Sequence, residues 1–139
     1  MAVTICTACR HGPGMPRQVA GTYTGALTIQ HYFSTDAGMK MIVTQAGERV
    51  TIIGTIMSEN SVLPLINALG TIDATGLFVA TEGGLSERTL LAEDDPQCGQ
   101  RMWVGGSLVF NGNQARLGAI MNTGICGQVT YRATLTRSP

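Results

Sequence analysis

The stretch 102–121, MWVGGSLVFNGNQARLGAIM, carries the pattern that determines the fold class. Apolar and polar residues alternate on both sides of Asn111-Gly112-Asn113, and an Asn-Gly pair between two alternating runs is typical of a tight β-hairpin. The pattern predicts two paired strands that share one apolar face, formed by Met102, Val104, Gly106, Leu108 and Phe110 on the first strand and Ala115, Leu117, Ala119 and Met121 on the second.

The same alternation extends over the chain from Val19 onward. Residues Tyr23, Leu27 and Ile29 alternate with threonines, and the C-terminal run places Val129, Tyr131 and Leu135 on one side. Strand signals recur roughly every 8 to 12 residues with short turns between them, which predicts about eight strands. Because neighbours in sequence can then all be neighbours in space, we expect an all-β, antiparallel up-and-down barrel rather than a Greek-key sandwich.

The segment 61–70, SVLPLINALG, departs from this alternation. Ser61 is a suitable helix cap, Gly70 is a suitable helix end, and Pro64 would lie in the first turn, where a missing N–H is tolerated. The segment therefore predicts one short helix or helical turn within the barrel.

Length and charge limit the classes of function. The chain has 139 residues, which corresponds to one domain, and its charged residues amount to 13% with nine basic and nine acidic side chains. Nucleic acid is not an expected partner, because a neutral chain lacks the basic surface that phosphates require. No apolar run has the length of a membrane span. A surface with few charges resembles a subunit interface, so we expect a homo-oligomer, with a dimer as the simplest case.

The cysteines bear on the compartment. Cys98 and Cys126 open the matching triplets Cys-Gly-Gln, each before a strand-like run, so a disulfide between them is expected if those strands are neighbours; the other pairings of the four cysteines stay open. An even number of cysteines in a lysine-poor chain favours an extracytoplasmic or secreted location. A cytoplasmic location is the alternative, because residues 1–9 lack the apolar core of a signal peptide.

Residues 1–18 are predicted to form a flexible N-terminal arm, since prolines and glycines at 12–16 disfavour helix and strand alike. The barrel domain is predicted over residues 19–139. Cys6, Cys9 and His11 are interpreted as a disulfide or free thiols, with a metal site or a redox dithiol as alternatives, because the ligand spacing of zinc and haem sites is incomplete. No metal and no cofactor is predicted.

Three segments are similar to calycin-like barrels, the lipocalin and avidin group. They are the opening AGTYTG at 20–25, the turn VTQAG at 43–47 and the strand that begins at Cys126-Gly127. The resemblance covers about residues 19–137 and implies a closed barrel with a ligand site at one end. Small barrels of this class also include cyclases of polyketide-like substrates, so the resemblance is compatible with an enzyme.

The inward faces predict where a ligand would bind. Flexible thioethers and aromatic rings suit an adaptable apolar pocket, with an ordinary packed core as the alternative. The predicted ligand-binding residues are Tyr23, Met39, Met41, Met102, Phe110, Met121 and Tyr131. Trp103 falls on the face opposite Met102 and is expected outside the barrel, either at an interface or as a structural anchor.

Three functions follow as hypotheses. The leading one is binding of a small apolar or amphipathic ligand inside the barrel. The second is a barrel enzyme, a cyclase or isomerase, that acts by shape and by hydrogen bonds from Tyr23 or Tyr131, with His31 as a candidate acid at the rim. The third is a structural or interaction module. No triad, paired carboxylates or metal motif distinguishes among them.

Overall fold

The protein forms one eight-stranded antiparallel sheet that curls into a nearly closed barrel. The computed structural model describes residues 17–59, 61–86 and 102–139. The strands are β1 Gly21–Gln30, β2 Ser34–Ala46, β3 Arg49–Ser58, β4 Ser61–Ile72, β5 Phe78–Leu85, β6 Met102–Asn111, β7 Gln114–Asn122 and β8 Gln128–Arg137. A short 3-10 helix, Gly124–Cys126, precedes β8.

The strands follow the order β5-β4-β3-β2-β1-β8-β7-β6. Neighbours in this order are also neighbours in sequence, except for β1 and β8, which pair with each other and so join the two ends of the chain. This arrangement confirms the predicted all-β, up-and-down barrel. Among the described residues, no helix is long and apolar enough to cross a membrane.

Alternation along each strand produces the core. On β1 the side chains of Tyr23, Leu27 and Ile29 are fully buried, and on β8 those of Val129 and Tyr131 are too. They pack in one hydrophobic cluster with the inward side chains of the other strands. Each fully buried large apolar side chain contributes about 1.5–3 kcal/mol relative to exposure, so this shared interior is the main stabilising term.

The helix predicted over Ser61–Gly70 is wrong, because this segment belongs to β4, which pairs with β3 and β5. The register shifts between Gly54 and Thr55, which pair with Ile66 and Pro64, so Leu65 is an extra residue that bulges the strand. The bulge interrupts the period of two and makes the sequence resemble a helix. It also accommodates Pro64, which cannot donate to a regular ladder.

The predicted inward position of Met102 is also wrong. A register shift between Trp103 and Gly105 inserts one residue into β6 and reverses the alternation before it. Met102 is consequently 61% exposed, whereas Trp103 packs against the core, with its ring centroid 5.4 Å from that of Tyr131. Trp103 is therefore an internal anchor, and the expectation that it lies outside is corrected as well.

The edge strands β5 and β6 close the barrel at one place. Leu77 and Val109 form an isolated antiparallel bridge, and the N–H of Phe110 donates to the carbonyl of Gly76 at 2.8 Å. At the far end of the same gap, the indole N–H of Trp103 donates to the carbonyl of Ser86. Between these two contacts the described residues of β5 and β6 do not pair; we call this gap the seam.

The turn before β5 positions the hydrogen bond between the N–H of Phe110 and the carbonyl of Gly76, which we call the closing contact. One carboxylate oxygen of Asp73 accepts hydrogen bonds from the N–H and hydroxyl of Thr75, at 2.8 and 2.6 Å, and from the N–H of Leu77 at 3.0 Å. The hydroxyl of Thr75, followed by the N–H of Leu77, lowers the pKa of Asp73. The ionised side chain thereby holds Gly76 where its carbonyl reaches Phe110.

Two groups of sequence-based expectations fall outside this description. Residues 1–16, with Cys6, Cys9 and His11, are not part of it, and neither is Cys98, so the Cys98–Cys126 disulfide stays a prediction. Arg17 and Gln18, the end of the predicted arm, lie on the barrel. The side chain of Arg17 donates to the carbonyl of Ala74 at 3.1 Å, and Arg137 donates to that of Gln18 at 3.3 Å.

Replacing Gly76 with alanine is expected to open the closing contact. Gly76 has φ +92°, and a Cβ there would lie 2.1 Å from the carbonyl oxygen of Phe110. The control is Gly112→Ala, where φ is +62° and a Cβ would meet nothing within 4 Å. The control variant is expected to lose only the roughly 1–2 kcal/mol of unfolding free energy that an alanine costs in the left-handed conformation.

Urea denaturation measures both free energies of unfolding. We expect Gly76→Ala to lose at least about 1 kcal/mol more than Gly112→Ala, because backbone must move to relieve the clash. Equal losses in the two variants would mean that the contact between Gly76 and Phe110 does not stabilise the barrel.

Candidate functional site

Six of the seven predicted ligand-binding residues lie together in the core. They are fully or almost fully buried: Tyr23, Met39, Met41, Phe110, Met121 and Tyr131. An eight-stranded barrel is just wide enough for its side chains to fill, and here these large side chains occupy that region of the interior. The seventh residue, Met102, is on the surface. Their role in ligand binding stays a prediction.

Tyr23 anchors the end of the barrel where the chain enters β1. Its hydroxyl donates to the carbonyl of Val19 at 2.8 Å, its ring meets that of Phe110 edge-on at 5.4 Å, and the guanidinium of Arg137 lies 5.7 Å from the ring centroid. Burial raises the pKa of Tyr23, and the positive charge of Arg137 partly offsets this. The side chain is therefore a neutral phenol engaged with the backbone, an arrangement that suits structural anchoring.

His31 lies at the opposite end, in the turn between β1 and β2. Its Nε2 is 2.6 Å from the carbonyl oxygen of Cys126, and since a carbonyl only accepts, Nε2 carries the proton. The hydroxyl of Tyr32 donates to the same oxygen at 3.1 Å, and the two rings stack at 4.1 Å. His31 thus ties two loops together. The catalytic roles of Tyr23, Tyr131 and His31 stay predictions.

An apolar cavity of about 220 Å³ lies at the seam. It extends inward from the gap between β5 and β6 and reaches side chains of β4 and β7. Its apolar lining consists of Ile66, Ala68, Phe78, Leu85, Leu108 and Leu117. Ala80, Gly84, Gly106 and Ser107 complete the lining, and of these four Ala80, Gly106 and Ser107 are exposed to solvent.

The cavity is electrostatically neutral. No residue of its lining is ionisable, and the hydroxyl of Ser107 is its one polar side-chain group. Across residues 17–59, 61–86 and 102–139, no group of three or more His, Cys, Asp or Glu side chains could hold a metal ion. The lining therefore suits an uncharged guest, because an ion would lose its hydration without gaining a partner.

None of the seven predicted ligand-binding residues lines this cavity. The sequence does contain a signal for its position, namely the pairs Gly83-Gly84 on β5 and Gly105-Gly106 on β6. A glycine inside a strand marks a bulge or a close approach of another group. Two such pairs on the two strands that border the seam could have indicated a gap, but only if those strands had been known to be the edges.

A second feature is the loop cluster formed by Tyr32, Phe33 and Ile125. The hydrogen bonds to the carbonyl of Cys126 hold the turn of Tyr32 against the 3-10 helix that carries Ile125. The three side chains are 70–90% exposed. The cluster is thus a fixed apolar surface at the end of the barrel opposite Tyr23.

Replacing Tyr23 with phenylalanine tests the anchoring role. At neutral pH we expect a loss of about 1 kcal/mol in the free energy of unfolding, because the Val19 carbonyl loses its donor. The pKa of Tyr23 is raised in the folded state, so its stabilising effect is complete below the ordinary value of 10.0 and is lost as the pH rises through the folded value. Denaturation at increasing alkaline pH should therefore show a shallower decline for the variant than for the parent protein, and equal slopes would refute the assignment.

Comparison with known proteins supports the fold alone. A solved structure of a redesigned β-barrel is similar to this chain with a TM-score of 0.50 and 14% sequence identity, covering 87% of this chain and 92% of that chain. No family model and no curated protein matches the sequence. The chain is therefore similar in architecture to a redesigned β-barrel, and its own eight-stranded barrel fold is compatible with binding a ligand internally.

Proposed function

We propose that the protein binds a small, uncharged, apolar or amphipathic molecule in the cavity at the seam. The observation that carries the proposal is the apolar cavity of about 220 Å³, which lies where the described edge strands β5 and β6 leave the wall of the barrel unpaired. Concave, mainly apolar sites with few polar groups are the usual form of small-molecule sites. A calycin-like relationship and an extracytoplasmic location belong to the same proposal.

The volume sets the size of the ligand. A cavity of about 150 Å³ takes up benzene, so by proportion this cavity suits roughly nine non-hydrogen atoms. That size corresponds to a substituted benzene or a short acyl chain and is smaller than a typical drug-sized ligand. The solvent-exposed lining positions Ala80, Gly106 and Ser107 support an entrance on the side of the barrel.

Filling the cavity is expected to abolish binding without unfolding the protein. The test variant is Ala68→Leu, because Ala68 is buried on β4 and lines the cavity. The control is Ala26→Leu, the same substitution at an exposed position of β1. The probe is α-methylstyrene, an uncharged compound of the expected size, and its binding is followed by amide NMR of the whole chain.

We expect saturable shifts of amides near the cavity for the parent protein and for Ala26→Leu, and an affinity at least about tenfold lower for Ala68→Leu. The thermal midpoint of Ala68→Leu should stay the same or rise, since the leucine fills empty space. Unchanged binding by a folded Ala68→Leu would place the site elsewhere, and no binding by the parent protein would remove the proposal for apolar ligands of this size.

The loop cluster supports self-association as a second candidate function. Tyr32, Phe33 and Ile125 form an exposed apolar surface on a chain of low charge, and aromatic residues are enriched at subunit interfaces. We propose a second copy of this chain as its partner, in agreement with the dimer expected from composition.

Sedimentation analysis tests this partner. Replacing Phe33 and Ile125 together with serine should weaken dimerisation by at least about tenfold, because the apolar area buried between the subunits is lost. Val79→Ser, at an exposed apolar position on β5, is the control and should leave the dimer unchanged. A monomeric parent protein, or a double variant that dimerises normally, would contradict the proposal.

A further inference from the structure

The backbone of β6 presents hydrogen-bonding groups to the seam. The N–H of Phe110 points across it to the carbonyl of Gly76. In an antiparallel strand the N–H and C=O of one residue point to the same neighbouring strand, and those of every second residue point the same way. The register from Gly106 to Phe110 is uninterrupted, with Gly106 opposite Ala119 and Phe110 opposite Ala115 on β7. The peptide groups of Leu108 and Gly106 therefore also face the seam.

Gly106 differs from Leu108 in its distance from the closing contact. Leu108 is next to the bridge formed by Leu77 and Val109, whereas Gly106 is two residues further into the gap. No described residue of β5 forms a strand pair with Gly106. Gly106 is exposed to solvent, so the acceptor available to its N–H at the seam is water or a ligand.

The space on the cavity side of Gly106 is narrow. A Cβ at this position would lie 3.0 Å from Cδ1 of Leu85 and 3.4 Å from Cβ of Ala119. The absent side chain keeps the peptide group accessible from the cavity, which the residue itself lines. A strand glycine in such a place allows another group to approach the backbone closely.

We infer that the peptide N–H of Gly106 binds the carbonyl oxygen of the ligand, so that the protein recognises small apolar ketones, esters or aldehydes. This inference rests on the proposed function and adds to it the polar group of the ligand. The apolar lining then holds the hydrocarbon part, and the N–H of Gly106 orients the oxygen toward the entrance.

An isosteric pair of probes tests separately whether the cavity binds a ligand and whether Gly106 binds the ligand's carbonyl oxygen. Acetophenone and α-methylstyrene have the same shape and differ in an oxygen that replaces a methylene group. Amide NMR with the complete chain should show that both bind at the cavity and shift the signal of Ala68. Acetophenone alone should move the amide proton of Gly106 downfield, as a new hydrogen bond does. The amide of Ser107, which points toward β7 by the same alternation, is the internal control.

The outcomes are distinct. If neither probe binds, the proposed function fails. If both bind and shift the Gly106 amide proton alike, the cavity is a binding site but the carbonyl inference is wrong.

A pair of variants provides a second test. Gly106→Ala is expected to weaken acetophenone binding by about tenfold, because the new methyl group narrows access to the peptide group. Gly105→Ala, where a Cβ would meet nothing within 4 Å, should leave the affinity unchanged. Parent-like binding by Gly106→Ala would overturn the inference.

Discussion

The contact between the two edge strands governs the rest of this structure. Every other neighbouring pair of the described strands is joined by an antiparallel ladder along its length, although some ladders contain a bulge. The edges β5 and β6 meet through one bridge, Leu77 with Val109, and the adjacent hydrogen bond to Gly76, while the Trp103 indole bonds Ser86 at the far end. A curled sheet must bring its edges together in this way or leave two unpaired edges exposed to solvent. Because backbone pairing is confined to one end of the seam, the wall stays unpaired between that end and the Trp103–Ser86 hydrogen bond, and the cavity lies there.

Packing explains why the internal space is at the wall and not on the axis of the barrel. Tyr23, Phe110 and Tyr131 are the largest fully buried side chains, and together with the inward methionines they fill the middle of the interior. On the strands that border the seam, the small residues Ala80, Gly84 and Gly106 stand among the larger lining side chains and leave room. The apolar lining and the backbone groups of β6 are thus two consequences of one incomplete closure, and they define the chemistry of the proposed ligand.

The predictions from sequence succeeded where strand alternation is uninterrupted. On β1, β2 and β8 every predicted inward residue with a large side chain is buried, as Leu27, Met41 and Leu135 illustrate. They failed at two bulges, where Leu65 made β4 resemble a helix and where the shift after Trp103 exchanged the positions of Met102 and Trp103. The predicted ligand-binding residues, whose role stays a prediction, do not line this cavity, because they were chosen to surround a central space.

The period of two and the turn residues were sufficient to establish an antiparallel barrel of eight strands and to assign most residues to its inner or outer face, since both depend on side-chain direction and local backbone conformation. The positions of the bulges, the strands that form the edges and the place of the cavity depended on three-dimensional pairing. A bulge is an extra residue in one strand relative to the strand that pairs with it, so it is defined only once the pairing is known. The bridge at the seam joins Leu77 to Val109, which are far apart in the chain. Such long-range pairing leaves no periodic trace in either segment alone.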